Sequence, residues 1–202
     1  AALDVNAKMH EGEGGKKLWV DAVKTVIETR KQVLRNCHYI RPLVPPMVHG
    51  KKWEEGNTEQ MANDMDYWAF EPVAKWHGFD GYRKGQYFID PMKLQFVTEG
   101  IDVEHGGYEK FGIPGNILAN YLRENGIIPE KCDLNDILFL MTPAESATKM
   151  DDLLAKLIRF EQLIDEDAPM SEVLPSIYNA YEEKYSGYTI RRLCQEMHDF
   201  YK

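Results

Sequence analysis

The residues best suited to chemistry in this sequence are carboxylates around one short segment, residues 124–145 (ENGIIPEKCDLNDILFLMTPAE). Glu130 follows a proline and precedes two short apolar runs, which places it at the rim of a predicted sheet. A partly dehydrated carboxylate at such a rim can bind an ammonium group strongly. An exposed glutamate without a ligand is nevertheless the more frequent state of this residue type. The pattern therefore makes Glu130 a candidate contact for a cationic ligand, with solvation as the alternative.

The other polar residues of this segment have simpler interpretations. Glu124 lies near a predicted helix C-terminus, where an acid gains nothing from the helix dipole, and we expect it to be structural. Glu145 is expected to belong to a helix end. Cys132 has no histidine near it in sequence, so we interpret it as a small apolar packing residue.

Other catalytic and metal-binding patterns are not evident in the sequence. The six histidines do not pair at the spacing of metal ligands, so the sequence predicts no metal site. There is no GxSxG nucleophile motif, and the Gly-Gly pairs lack the flanks of a phosphate-binding loop. The residues alone therefore name no reaction.

Composition limits the class of protein. The 202 residues are enough for one hydrophobic core, and 44% hydrophobic with 28% charged residues is typical of a globular chain. A net charge of −9 repels phosphate backbones, so nucleic acid is not an expected partner. No apolar run approaches the roughly 20 residues that span a bilayer, so no membrane association is expected. Three cysteines, far apart and odd in number, indicate reduced thiols and a cytoplasmic protein.

The elements that must position these residues are helices interleaved with clusters of strands. Helical periodicity predicts helices over residues 16–37, 112–126, 145–167 and 189–202, with a Gly14-Gly15 interruption before the first. Aromatic and β-branched runs predict strands at residues 39–44, 66–72, 86–101, 127–133 and 137–142. This order favours an α+β fold, in which a small, mostly antiparallel sheet is covered by helices.

Four segments resemble the bacterial ornithine/lysine/arginine decarboxylases, which are pyridoxal-phosphate enzymes of the aspartate-aminotransferase fold (fold type I). They are AALDVNAKMHEGEGG, QYFIDPMKLQFVTEGID, NGIIPEKCDLNDILFLMTPAES and EDAPMSEVLPSIYNAYEEKYSGYTIRRLCQEMHDFYK. The PEKCDLN and LMTPAES stretches are most similar to the ornithine branch, especially the lactobacillus type.

The resemblance implies a division of the chain into three segments. Residues 1–37 are the end of the large domain with a long connecting helix. Residues 38–168 are the small α+β domain, and residues 169–202 begin the carboxy-terminal segment. Both ends of the chain also look cut, so we expect a piece of a longer protein, with aromatic loops that contact a missing domain or a second subunit.

The resemblance also implies the chemistry. Glu130 matches the glutamate of the family's Val/Pro-Glu-Lys stretch, which meets the distal amine of the substrate. The Schiff-base lysine belongs to a Ser-x-His-Lys stretch that this sequence lacks, and pyridoxal phosphate is bound mainly by an upstream domain. We therefore expect no catalytic or cofactor-binding residue here and no decarboxylase activity from this piece alone. The intact protein is expected to be a homodimer or larger homo-oligomer that converts L-ornithine to putrescine and CO₂. Lysine or arginine decarboxylation, or a non-catalytic assembly or regulatory role, are the alternatives.

Overall fold

A four-stranded antiparallel sheet, covered on one face by helices, organises the computed structural model, which describes residues 1–202. The strands are β1 (Ile40–Pro42), β2 (Met47–Val48), β3 (Lys51–Lys52), β4 (Lys93–Thr98), β5 (Lys131–Cys132) and β6 (Asp136–Leu140). The sheet has the order β1-β4-β6-β5, and β2 and β3 form a separate hairpin. In the register of the sheet, Phe96 of β4 lies opposite Ile137 of β6, which in turn lies opposite Cys132 of β5.

Long amphipathic helices surround the sheet. The helices are α1 (Ala2–Met9), α2 (Gly12–Asn36), α3 (Thr58–Met61), α4 (Gly115–Glu124), α5 (Ala147–Asp165), α6 (Met170–Val173), α7 (Pro175–Ala180), α8 (Glu182–Tyr185) and α9 (Ile190–Tyr201). Their ends follow from local sequence: the Ser146 and Thr189 side chains cap α5 and α9, and Gly126, with φ 80°, follows α4. None of these helices could serve as a membrane-spanning segment.

The main core lies between one face of the sheet and the helices α2, α4, α5 and α9. Strand alternation turns Leu94 and Phe96 of β4, and Ile137 and Phe139 of β6, toward the helices. The helices contribute Val26, Val33, Ile117, Leu118, Leu122, Leu153, Leu157, Phe160, Ile164, Ile190 and Cys194. The opposite face of the sheet is open and carries the more exposed residues of each strand.

A second, smaller core lies between α2 and the irregular segment 44–89. Trp53 and Trp68 pack edge to face at its centre, with ring centroids 5.7 Å apart. Arg30 of α2 is fully buried between the two cores, where its guanidinium lies over Trp68 and donates to the Lys93 carbonyl at 2.9 Å. Burial lowers the pKa of Arg30 to about 9.

One buried carboxylate joins α5 to the start of the sheet. Glu161 is 3% exposed and accepts the backbone N–H groups of His38, Tyr39 and Ile40 at 2.8–2.9 Å. These three amides follow the end of α2, where the chain turns into β1. The side chain therefore replaces the partners that this turn lacks.

The α+β class, with a small antiparallel sheet and covering helices, is confirmed, but two local predictions are wrong. Residues 66–72 form no strand: a 3₁₀ turn spans Met65–Tyr67, and Ala69 makes one isolated bridge to Phe88. The aromatic residues that suggested a strand are buried in the second core instead. Gly14-Gly15 also lies inside α2, where Gly15 gives the room for the His10 backbone to approach closely. The break comes at Glu11 and Gly12, because Gly12 has a φ of 63°.

Candidate functional site

A cleft of about 810 Å³ lies at one end of the open face of the sheet. One wall is the segment 42–47 with Trp53, and the other is the loop 99–109. Arg41 of β1, Val97 of β4 and Asp136 of β6 form part of its floor. The charged lining residues are mostly acidic: Glu54, Glu99, Asp102, Glu104, Glu109, Asp133 and Asp136 against Arg41 and Lys52.

Two glutamates face each other in this cleft. Glu99 directly follows β4, and its pKa is raised to about 7, first because of burial and then because of the hydrogen bond and charge of Glu109. The positive charge of Arg41 opposes this shift without cancelling it. The pKa of the Asp136 carboxyl is also raised, by burial and by the neighbouring charge of Asp133. The cleft thus holds carboxylates that a bound cation would help to ionise.

Helix α9 fixes the loop that carries these acids. His198 is 1% exposed, and its Nε2 lies 2.8 Å from the Glu109 carbonyl oxygen. Gln195 donates to the Lys110 carbonyl at 2.8 Å. Gly112 leaves the space that the His198 ring fills, since a Cβ there would overlap the ring. The position of Glu109 is therefore set by the docking of a helix more than eighty residues later in the chain.

Glu130 lies outside this cleft. It is exposed just before the edge strand β5, where its backbone N–H donates to the Leu138 carbonyl at 2.8 Å. Its side chain makes no hydrogen bond or ion pair within the chain. The carboxylate is thus at the rim of the sheet, as the sequence predicted, and is open to a ligand or to another part of a longer protein. The structure does not bring it together with Glu99 and Glu109.

The neighbours of Glu130 are structural. One Glu124 carboxylate oxygen accepts the Ser176 backbone N–H at 3.0 Å, so this acid caps the start of α7. Glu145 pairs with Lys149 at 2.9 Å across the first turn of α5. Cys132 is partly buried against the main core. Glu124, Glu130 and Glu145 therefore have separate surroundings, whereas Asp133 and Asp136 of the same segment lie together in the cleft.

Two lysines, one lining the cleft and one buried beside α3, can be compared with the amine that pyridoxal phosphate requires. Lys52 is the lysine that lines the cleft, and it is exposed. The buried Lys31 is already bound to the Gly56 carbonyl at 2.8 Å and the Thr58 hydroxyl at 2.6 Å. Neither has the setting of an amine held ready to form a Schiff base. The acidic cleft can instead bind cationic groups through its carboxylates.

Sequence reasoning missed the pairing of Glu99 with Glu109. These residues are ten positions apart in a loop, and no periodicity links them. The available signal was the glycine-rich run between them, in which Gly106 and Gly107 both have positive φ, because such a run allows a loop to fold back. The contact itself depends on α9 and could not be read from local sequence.

Comparison with known proteins places this chain in a family. The family model described as Orn/Lys/Arg decarboxylase, major domain, matches residues 1–149. The inducible ornithine decarboxylase of Lactobacillus sp. (strain 30a) is 60% identical over 202 residues, and the constitutive ornithine decarboxylase of Escherichia coli (strain K12) is 58% identical over 201. Both alignments cover 100% of this chain and 28% of the relative. The lysine decarboxylase of Hafnia alvei is 31% identical over 202 residues, which are 100% of this chain and 26% of that protein.

Solved structures agree with the fold. Lysine decarboxylase A from Pseudomonas aeruginosa has a TM-score of 0.81 at 27% identity, over 99% of this chain and 26% of that one. The E. coli constitutive lysine decarboxylase has a TM-score of 0.79 at 28% identity, over 95% of this chain and 26% of that one. The division into segments 1–37, 38–168 and 169–202 stays a prediction. The family match covers nearly three quarters of the residues, and the chain belongs to the Orn/Lys/Arg decarboxylase family.

Proposed function

We propose that this chain is part of an ornithine decarboxylase, which converts L-ornithine to putrescine and CO₂ with pyridoxal phosphate. The observation that carries the proposal is the contrast in identity: 60% and 58% to two ornithine decarboxylases, against 31% to a lysine decarboxylase, over the same residues. The chain spans 28% of the length of these ornithine decarboxylases, so the activity belongs to the longer protein. The cofactor is held by residues outside this chain.

The contribution of this chain is contact with the substrate. Glu130 accepts hydrogen bonds from the distal ammonium of ornithine, which fixes the end of the substrate far from the reacting carbon. Support comes from its carboxylate, which is exposed at the sheet rim and has no partner within the chain. A charge-assisted bond of this kind is worth about 1.5–3 kcal/mol. Because the reach of the substrate is set by its number of methylene groups, such a contact discriminates ornithine from the longer lysine.

A second contribution is assembly. Apolar side chains are exposed on α1 and at the start of α2, where Leu3 is 83% and Trp19 39% accessible. Exposed apolar area of this kind is typical of protein interfaces. We propose that these surfaces contact other parts of a homodimer or larger homo-oligomer. The three free cysteines support a cytoplasmic location.

The test is a substrate comparison on the full-length protein that contains this chain, loaded with pyridoxal phosphate. CO₂ release is measured from ornithine, lysine and arginine, and kcat/KM is compared. One methylene changes kcat/KM by about 10- to 200-fold in a site fitted to one length. The kcat/KM for ornithine is therefore expected to be at least about 10-fold higher than that for lysine. A kcat/KM for lysine or arginine equal to that for ornithine would reject the proposal.

A companion measurement uses residues 1–202 alone, with added pyridoxal phosphate and ornithine. No CO₂ release is expected, because these residues lack the Ser-x-His-Lys stretch that carries the Schiff-base lysine of the family. Turnover by this piece would show that the division of labour proposed here is wrong.

A further inference from the structure

Three side chains of metal-ligand type converge outside the cleft, where the β2–β3 hairpin meets the turn at residues 64–67. His49 lies in the hairpin turn, and its Nε2 is 3.0 Å from an Asp64 carboxylate oxygen. The same nitrogen is 3.7 Å from an Asp66 carboxylate oxygen. The three ligand atoms all lie within 4.8 Å of one another. None of these residues lines the cleft.

The two distances from His49 fit one small ion. A divalent ion such as Zn²⁺ binds nitrogen and carboxylate oxygen at about 2.0–2.2 Å, so tetrahedral ligands lie roughly 3.3–3.6 Å apart. The two His49 distances, 3.0 and 3.7 Å, lie on either side of that spacing. We propose that His49, Asp64 and Asp66 bind a divalent transition-metal ion of the Zn²⁺ class.

Two of the three ligands, Asp64 and His49, are held in place before any ion binds. One Asp64 oxygen accepts the Asp66 backbone N–H at 3.0 Å, which leaves the other oxygen facing His49. The His49 ring packs edge-on against Tyr67, which is 5% exposed. Asp64 and His49 therefore have little side-chain freedom to lose on binding, whereas the exposed Asp66 side chain must be ordered by the ion.

The charge and the surroundings of the cluster suit a cation with an open position. Two carboxylates and a neutral imidazole carry a net charge of −2, which a divalent ion neutralises. His49 and Asp66 also line a neighbouring cavity of about 260 Å³ that includes Glu71. A fourth ligand, either water or an added group, can enter from there, as at zinc sites with three protein ligands. Sequence spacing missed the cluster because its histidine and first aspartate are 15 residues apart and neither has a second histidine nearby.

The experiment is a Zn²⁺ titration by calorimetry on the full-length protein, repeated with Co²⁺ to record visible absorption from tetrahedral coordination. His49→Asn is the test variant, because asparagine tolerates the positive φ of 50° at this position. His105→Asn is the matched control, since His105 is exposed and lies 2.9 Å from a single carboxylate, that of Asp102. Asp66→Asn, at an exposed side chain, is an independent second variant.

The proposal predicts that His49→Asn loses one Zn²⁺ equivalent per chain and the tetrahedral Co²⁺ absorption, while His105→Asn keeps both. Asp66→Asn is expected to weaken Zn²⁺ binding by roughly tenfold or more. If His49→Asn does not fold, the Zn²⁺ affinity of Asp66→Asn alone tests the proposal. The proposal is overturned if the wild type binds no Zn²⁺. It is also overturned if a folded variant binds Zn²⁺ as well as the wild type does, and His49 and Asp64 then form only an ion pair.

Discussion

Glu161→Gln is the substitution that most sharply tests how the sheet is attached to its helices. The carboxylate serves three backbone amides at once: one oxygen accepts from Tyr39 and Ile40, and the other accepts from His38. A glutamine can keep its oxygen on the side of Tyr39 and Ile40, but its NH₂ group then faces the His38 N–H. One backbone hydrogen bond is lost and two lose their charge, and the contact of His38 Nδ1 with the same oxygen, at 2.9 Å, also loses its charged partner.

The magnitude follows from these contacts. The lost charge-assisted bond is worth about 1.5–3 kcal/mol, and the two remaining bonds fall to roughly half their strength. The sum is about 3–6 kcal/mol, which overlaps the range of about 3–5 kcal/mol for removing one partner of a buried charged contact. Native-state hydrogen exchange, followed by mass spectrometry, measures this loss of local stability at the amides of residues 38–40. Their exchange is expected to be roughly 10²–10⁴-fold faster in Glu161→Gln.

The matched control is Glu166→Gln at the end of the same helix. Glu166 is exposed and pairs with Arg159 at 3.1 Å, and such a surface pair contributes about 0–1 kcal/mol. The control should therefore leave exchange at residues 38–40 unchanged. If Glu161→Gln also left it unchanged, the carboxylate would not be what holds this turn, and the reasoning would be refuted.

Three further predictions concern the cleft, the docking of α9 and the thiols. The pKa of Glu99 is raised from 4.5 to about 7, so the stabilisation that its protonated form gives is present below pH 4.5 and is lost as the pH rises through about 7. Urea titrations at several pH values should show that Glu99→Gln flattens this pH dependence of the free energy of unfolding. Gly112→Ala should lower stability by at least about 1–3 kcal/mol and reduce the melting temperature, since the methyl group overlaps His198. Alkylation of the native protein should label Cys132 before Cys37, because burial raises the pKa of the Cys37 thiol to about 12; peptide mapping would show the order.

Much of the helical architecture could be predicted because it depends on long periodic segments. The predicted helices 16–37, 112–126 and 145–167 correspond to α2, α4 and α5, and their ends follow local capping and glycine signals. Segment 66–72 failed for a physical reason. Its tryptophan and tyrosine are buried by tertiary packing, and the Trp68 indole donates to the Met61 carbonyl at 2.9 Å instead of flanking a strand ladder. Aromatic content signals burial, and burial does not require a strand.

The candidate functional residues, which lie in separate places, were predictable only in part. Glu130 could be named because its neighbours mark a sheet rim and because the PEKCDLN wording resembles a known family. The Glu99–Glu109 pair and the His49 cluster could not, because each needs two segments brought together by contacts elsewhere. For Glu109 the decisive contact is with His198, 89 residues away. Such sites follow from the fold rather than from spacing.

Glu130→Gln in the full-length enzyme, assayed for ornithine kinetics, tests most directly whether this chain takes part in substrate binding. Loss of one charge-assisted contact of about 1.5–3 kcal/mol predicts a KM roughly 10- to 150-fold higher, with a smaller effect on kcat. Glu145→Gln, in the same segment and paired with Lys149 on the surface, is the control and should behave as wild type. Unchanged KM and kcat in Glu130→Gln would contradict the account and remove this residue from the site.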